Sequence, residues 1–193
     1  MEVEIWSDFA CPWCALGLAR LDLALSGFEH GGEVQVVHRS FELDPRAPAR
    51  RGLTMEEAVA ARYGMSAGSV RAGHARLAAM GREVGVVLDF ERVQLGSTFD
   101  AHRLAQAARG EPGHQALIRG LFAAHFAEGR LLSDHAVLRD VAKKAGFDQQ
   151  RTAELGVTGV PYFLLNGAWP VPGAQDVETM GILLRRAWSR FGH

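Results

Sequence analysis

Two cysteines are all that this chain of 193 residues carries, so it has no second pair from which a four-cysteine zinc site could be built. Its eight histidines do not supply the missing ligands in the usual way, because no His-x3-5-His spacing occurs. Charge of one sign is also lacking. The 21 Lys plus Arg balance 22 Asp plus Glu, which argues against nucleic acid or an anionic membrane as a partner. No stretch approaches the ~18 consecutive apolar residues that a membrane span needs. No basic segment or apolar run precedes the β-type residues that start at Glu2, so no secretory signal is read and the expected location is cytoplasmic. Thiols are kept reduced there, and a pair of cysteines is then catalytic more often than structural. Repeats and low-complexity segments are absent. The length suits one well-buried core with an inserted subdomain and is too short for two full-sized domains.

What the chain does have is Cys11-Pro12-Trp13-Cys14, with both cysteines in one motif. Val3-Glu4-Ile5-Trp6 reads as a strand before it. Trp13 to Leu25 reads as a helix after it, with Leu18, Leu21, Ala24 and Leu25 at helical spacing. A strand running into Cys-x-x-Cys at a helix start is the context of a thioredoxin-like redox motif. Pro12 fits the first helical position, where its missing N–H costs nothing. The first turn leaves N–H groups unpaired and carries partial positive charge, so a thiolate is stabilised there. Cys11 is accordingly the expected nucleophile, with the lower pKa. Cys14, one turn further in, is the expected resolving thiol, because residues three apart share a helix face. Half of a zinc site and an inert buried pair are the alternatives.

Beyond the first helix, Gly31-Gly32 marks a turn and residues 33–41 read as a second strand, which makes a β-α-β unit. Two prolines in Asp44-Pro45-Arg46-Ala47-Pro48 then stop regular structure. From Thr54 to about Gly146 the pattern is helical. A capping box at Thr54-Met55-Glu56-Glu57 opens one helix, and Ser66 opens a second running to about Val84. Further starts are read at Ser97 or Thr98, at Glu111-Pro112, and at Ser133-Asp134. A β pattern returns at residues 160–165, followed by the hairpin signal Asn166-Gly167, a returning strand at Trp169-Pro170-Val171 and a last helix from near Asp176. On that helix Met180, Leu183, Leu184, Ala187 and Trp188 share a face. The expected fold is α/β (α+β): a thioredoxin fold formed by residues 1–50 and 150–193, interrupted by an all-helical insertion over 51–149.

Four stretches in order carry a resemblance to the DsbA-like branch of the thioredoxin superfamily, and more narrowly to its FrnE-like cytoplasmic members. Ile5-Trp6-Ser7-Asp8 leading to the cysteines resembles the active-site strand and motif, and Arg39-Ser40-Phe41-Glu42-Leu43-Asp44-Pro45 resembles the second strand. Ser97-Thr98-Phe99-Asp100-Ala101-His102-Arg103-Leu104 resembles the helix start that faces the active site. Leu155 to Pro161, then Gly173-Ala174-Gln175, resemble the cis-proline loop and the turn before the last helix. One departure is that the segment between Phe147 and Glu154 is about twenty residues shorter than the resemblance leads one to expect.

The resemblance implies thiol–disulfide exchange by Cys11 and Cys14, with Val160-Pro161 as a cis bond whose backbone groups receive an extended substrate. An ordinary trans proline at a strand start is the alternative. Because Pro12 and Trp13 bring no cation to the sulfur, a less extreme oxidant is expected than with histidine there. Asp8 is a candidate for tuning the site or passing a proton to Cys14, against the commoner reading of a turn aspartate capping a helix. Glu4 is either a buried acid under Cys14 or solvent-facing. Trp13 is either a lid over the disulfide or packed against the insertion. His102 and Arg103 either line the cleft or serve as caps and ion pairs. His30, His114 and His135 need no function, and Leu121, Phe122 and Phe126 read as helix core. No metal and no cofactor is expected beyond the redox-active disulfide, with glutathione a candidate co-substrate. The expected partners are disulfide-containing proteins or small thiols, and the chain is expected to be a monomer or homodimer. The competing readings are a kappa-type glutathione-dependent transferase or isomerase, whose members carry serine at the active position, and a peptide-binding chaperone module.

Overall fold

The change of hydrophobic period after residue 7 is where the chain turns from strand to helix. In the computed structural model, which describes residues 2–147 together with strands 162–165 and 169–172, β1 spans Glu2–Ser7 and α1 spans Pro12–Ser26. A short 3-10 turn at Gly31–Glu33 leads into β2, Gln35–Ser40. The second strand is therefore shorter than residues 33–41, because Glu33 is spent in that turn. β1 and β2 pair in parallel, from Glu2 opposite Gln35 to Ser7 opposite Ser40. With α1 between them they form the expected β-α-β unit. On β1, Glu4 and Trp6 are exposed while Ser7 is buried. Glu4 thus lies on the solvent side and pairs with Arg39, whose Nε donates to it at 2.7 Å, so it is not a buried acid beneath the cysteines.

Burial on α1 is concentrated near its start, in Ala15, Leu16 and Leu18, and Ala24 is exposed. The apolar face read from Leu18 to Leu25 therefore fades toward the C-terminal end.

Among the described residues five helices follow: α2 (Met55–Tyr63), α3 (Ala67–Glu83), α4 (Phe99–Ala107), α5 (His114–Phe126) and α6 (His135–Lys144). Their starts show the local chemistry that the sequence advertises. Thr54 and Glu57 form a complete capping box, the Ser66 hydroxyl accepts from the N–H of Ser69, and the Asp134 carboxylate accepts from that of Ala136 at 2.8 Å. α5 departs from expectation. It begins at His114 rather than at Glu111-Pro112, because Gly113 takes a φ of 92° and ends the preceding turn in a conformation that only glycine adopts without strain. α5 is the core helix, with Leu117, Ile118, Leu121, Phe122, Ala124 and Phe126 buried. Gly120 lets α6 approach closely, since a Cβ there would lie 2.9 Å from a Val141 methyl.

α4 and α5 also cover the outer edge of β2. The Gln106 side-chain amide donates to the His38 carbonyl at 3.2 Å and to the Ser40 hydroxyl at 3.0 Å, and the Gln115 amide donates to the Val36 carbonyl at 3.5 Å. These side chains satisfy strand acceptors that would otherwise be exposed.

Residues 1–146 form one compact unit and residues 147–193 a second. In the second, β3 (Tyr162–Leu165) and β4 (Trp169–Pro172) pair antiparallel, with Tyr162 opposite Pro172 and Leu165 opposite Trp169. The Asn166-Gly167 turn, the Val160-Pro161 bond and the helix from Asp176 lie outside the described residues.

Candidate active site

The turn joining β1 to α1 is held by its own backbone and by one aromatic anchor. The Cys11 N–H donates to the Asp8 carbonyl at 3.0 Å, and the Phe41 N–H to the Ser7 carbonyl at 3.1 Å. Phe9, 2% exposed, inserts its ring among the helices, 4.7 Å from His102 and 5.1 Å from Phe122. The turn therefore cannot swing away from the core without exposing a large apolar side chain.

Cys11 occupies the N-cap position of α1 in extended conformation, φ −97° and ψ 112°, and Pro12 is the first helical residue. No acidic residue stands in the first turn of α1 to offset its positive end. Both cysteines are free thiols and partly buried. The Cys14 thiol donates to the Cys11 sulfur, and this bond is the largest influence on both groups. Together with the backbone N–H groups of Cys14 and Trp13, it outweighs burial and lowers the Cys11 pKa to about 6. The same bond keeps Cys14 protonated, with burial adding to it, so the Cys14 thiol is pushed well above its ordinary value. The two sulfurs thus have distinct roles available to them: a thiolate at the helix cap, and a protonated thiol one turn in. Trp13, between them, is 57% exposed.

Asp8 does not cap α1. One carboxylate oxygen accepts from the Ala10 N–H at 3.1 Å and lies 3.4 Å from His102 Nε2; the other accepts from the Leu43 N–H at 2.7 Å. The Thr98 hydroxyl is a further partner. Burial alone would raise the Asp8 pKa, but the hydrogen bonds from His102, Leu43, Ala10 and Thr98 together pull it below the ordinary carboxylate value. His102, 5% exposed on α4, is thus a hydrogen-bond partner directly behind the turn. Arg103, its neighbour, pairs with Asp100 at 3.1 Å. Nothing local in the sequence links Thr98 or the Leu43 backbone to Asp8.

Among the described residues, no group of three His, Cys, Asp or Glu side chains is placed to hold a metal ion, and no helix is long and apolar enough to cross a membrane. His114 is buried with Nε2 3.0 Å from the Ala105 carbonyl. His125 is buried with no hydrogen-bond partner on either ring nitrogen among the described residues. Sitting inside the apolar run of α5, it carries no sequence signal that sets it apart from a core position.

A family model described as DSBA-like thioredoxin domain matches residues 2–155. Among solved structures, a probable DsbA oxidoreductase from Streptomyces coelicolor is 37% identical, with 98% of this chain covered, 90% of that chain and a TM-score of 0.72. A 2-hydroxychromene-2-carboxylate isomerase is 18% identical, with 98% of this chain and 95% of that one covered and a TM-score of 0.54. The cytosolic disulfide reductase DsbM from Pseudomonas aeruginosa with GSH is 16% identical, covering 96% of this chain and 100% of that one, with a TM-score of 0.50. These last two share the fold alone. No curated protein matches the sequence.

Proposed function

The chain belongs to the DSBA-like thioredoxin domain family, and from that premise we propose that it catalyses thiol–disulfide exchange through Cys11 and Cys14. The Cys11 thiolate attacks one sulfur of a substrate disulfide, forming a mixed disulfide and releasing the other sulfur as a thiolate. Cys14 then loses its proton and attacks the Cys11 sulfur. The Cys11–Cys14 disulfide forms and the second substrate sulfur leaves. Two electrons pass to the substrate, and its two thiolates take up two protons, one released by Cys14 and one from solvent, because Cys11 enters the reaction already ionised. The reverse sequence uses the same residues.

The observation that carries this reading is the division between the two sulfurs. A nucleophile must be ionised at working pH, whereas a resolving thiol that ionised first would repel the Cys11 thiolate. The hydrogen bond from Cys14 to Cys11, the largest influence on both, favours that assignment. Trp13, largely exposed next to the pair, is the proposed substrate contact. Val160 and Pro161 are the proposed edge for an extended substrate. The substrates are disulfide-containing proteins or small thiols, with glutathione as the co-substrate that recycles the pair, in a cytoplasmic setting. A relative of the same fold is described with GSH, which supports the choice of recycling thiol.

A glutathione redox titration with alkylation quenching and mass counting tests the proposal. A single two-electron transition, lost in Cys11→Ser, is expected. Cysteines that resist both oxidation and alkylation would overturn it and favour the isomerase or chaperone reading, neither of which needs Cys11 as a nucleophile.

A further inference from the structure

The exchange chemistry described above makes no use of Asp8, yet few groups in the protein are so thoroughly fixed. Its side chain is 3% exposed, and its own carbonyl holds the Cys11 N–H at 3.0 Å, so carboxylate and nucleophile belong to one tight turn. Four donors from three parts of the chain meet the carboxylate: the Ala10 N–H at 3.1 Å, the Leu43 N–H at 2.7 Å, and, from the start of α4, the Thr98 hydroxyl and His102 Nε2 at 3.4 Å. An ionised carboxylate out of water is costly unless its lone pairs are filled, and here they are. The charge then acts through a poorly screened interior on the cysteine pair, where it disfavours the thiolate at both Cys11 and Cys14. Pro12 and Trp13 bring no cation to offset it.

A nearby negative charge does not treat the two redox states alike. The dithiol state of the pair holds a thiolate, whereas the disulfide is neutral. Repulsion therefore raises the free energy of the dithiol state and leaves the disulfide untouched. Given the exchange reaction proposed above, on which this inference rests, we propose that Asp8 is a positioning residue whose fixed negative charge, clamped by His102 and Thr98 from the helical segment, holds the Cys11–Cys14 pair toward the reducing end of its range. The helical segment thereby contributes to the redox poise without touching either sulfur. Asp8 takes no proton and forms no bond in this role.

The test is the glutathione redox titration of wild type, Asp8→Asn and Asp8→Glu, each checked for folding by far-ultraviolet circular dichroism. Asp8→Asn removes the charge and keeps an acceptor oxygen. Its equilibrium constant against glutathione is expected to shift about tenfold toward the dithiol, making the variant a stronger oxidant, and the pH midpoint of Cys11 alkylation to fall by about one unit. Asp8→Glu keeps the charge and is expected to stay within about threefold of wild type, which a merely structural role would not produce. If Asp8→Asn does not fold, Asp8→Ser takes its place with the same expectation. Equal midpoints in wild type and the charge-free variant, or equal shifts in Asp8→Asn and Asp8→Glu, would overturn the inference while leaving the exchange reaction standing. A wild type with no redox transition at all would overturn both.

Discussion

Replacing Cys14 by alanine removes the one donor that contributes most to the ionisation of Cys11. In the folded protein the Cys14 thiol donates to the Cys11 sulfur, and the Cys11 pKa stands at about 6 against an ordinary 9.0. A hydrogen bond to a charged group contributes about 1.5–3 kcal/mol, which at roughly 1.4 kcal/mol per unit is about one to two pKa units. The Cys11 midpoint in Cys14→Ala is therefore expected between about 7 and 8. The remainder of the lowering, supplied by the N–H groups of Cys14 and Trp13, survives because it is backbone. At pH 7 the thiolate fraction falls from about nine-tenths to between about half and a tenth. The measurement is the rate of Cys11 alkylation against pH, read as a midpoint rather than as a rate at one pH. A thiolate of higher pKa is intrinsically more nucleophilic, with a Brønsted slope of about 0.4–0.5, and a single rate would mix the two effects. Cys14→Ser keeps a hydroxyl donor and should fall between wild type and Cys14→Ala. If all three proteins titrate within a few tenths of a unit of one another, the sulfur–sulfur hydrogen bond is not what ionises Cys11, and the division of roles between the cysteines loses its basis.

Two further expectations concern stability. The Cys11 pKa is lowered from 9.0 to about 6 on folding, so the reduced unfolded chain binds more protons between those values. The stabilisation from Cys11 is complete above the unfolded value and is lost as pH falls through about 6. The stability of the reduced protein minus that of Cys11→Ser, from urea unfolding, should accordingly widen from pH 6 to pH 9. Cys14, whose pKa is raised, does not oppose this trend below 9, and a gap that stays flat would contradict the assignment. His125 acts at the acid end. Burial lowers its pKa from 6.5 to about 4, so protonation favours the unfolded chain as pH falls below 6.5. Replacing it with leucine should leave the acid limb of the stability curve shallower, by about 2 kcal/mol at pH 5, a difference that closes above pH 7. Urea denaturation of His125→Leu at several pH values checks this, and parallel curves for the two proteins would refute it.

Much of this protein was legible because its chemistry is written at short range. The spacing of Cys11 and Cys14, proline at the first helical position, Thr54 with Glu57, and Asp134 with Ala136 are contacts between residues at most three apart. The chain determines such contacts wherever it forms a helix, so the placing of Cys11 and Cys14 at the start of α1 and most of the other helix starts followed from sequence alone. The β-α-β unit and the two strands β3 and β4 followed likewise from changes in hydrophobic period. What the sequence left open were choices between equivalent local readings. The alternation on β1 allowed Glu4 to face either way, and only pairing with Arg39 placed it outside. Glu111-Pro112 looked like a helix start, and the positive φ of Gly113 moved it to His114. Asp8 could cap, tune or pass a proton. Its meeting with Leu43, Thr98 and His102 spans up to 94 positions of chain, and no local propensity encodes it. That meeting depends on Phe9 entering the helical core beside His102 and Phe122, which brings α4 up behind the turn between β1 and α1. Packing of apolar side chains distant in sequence decides which polar groups share a buried space, and so tertiary structure alone decided where the charge stands beside the cysteines.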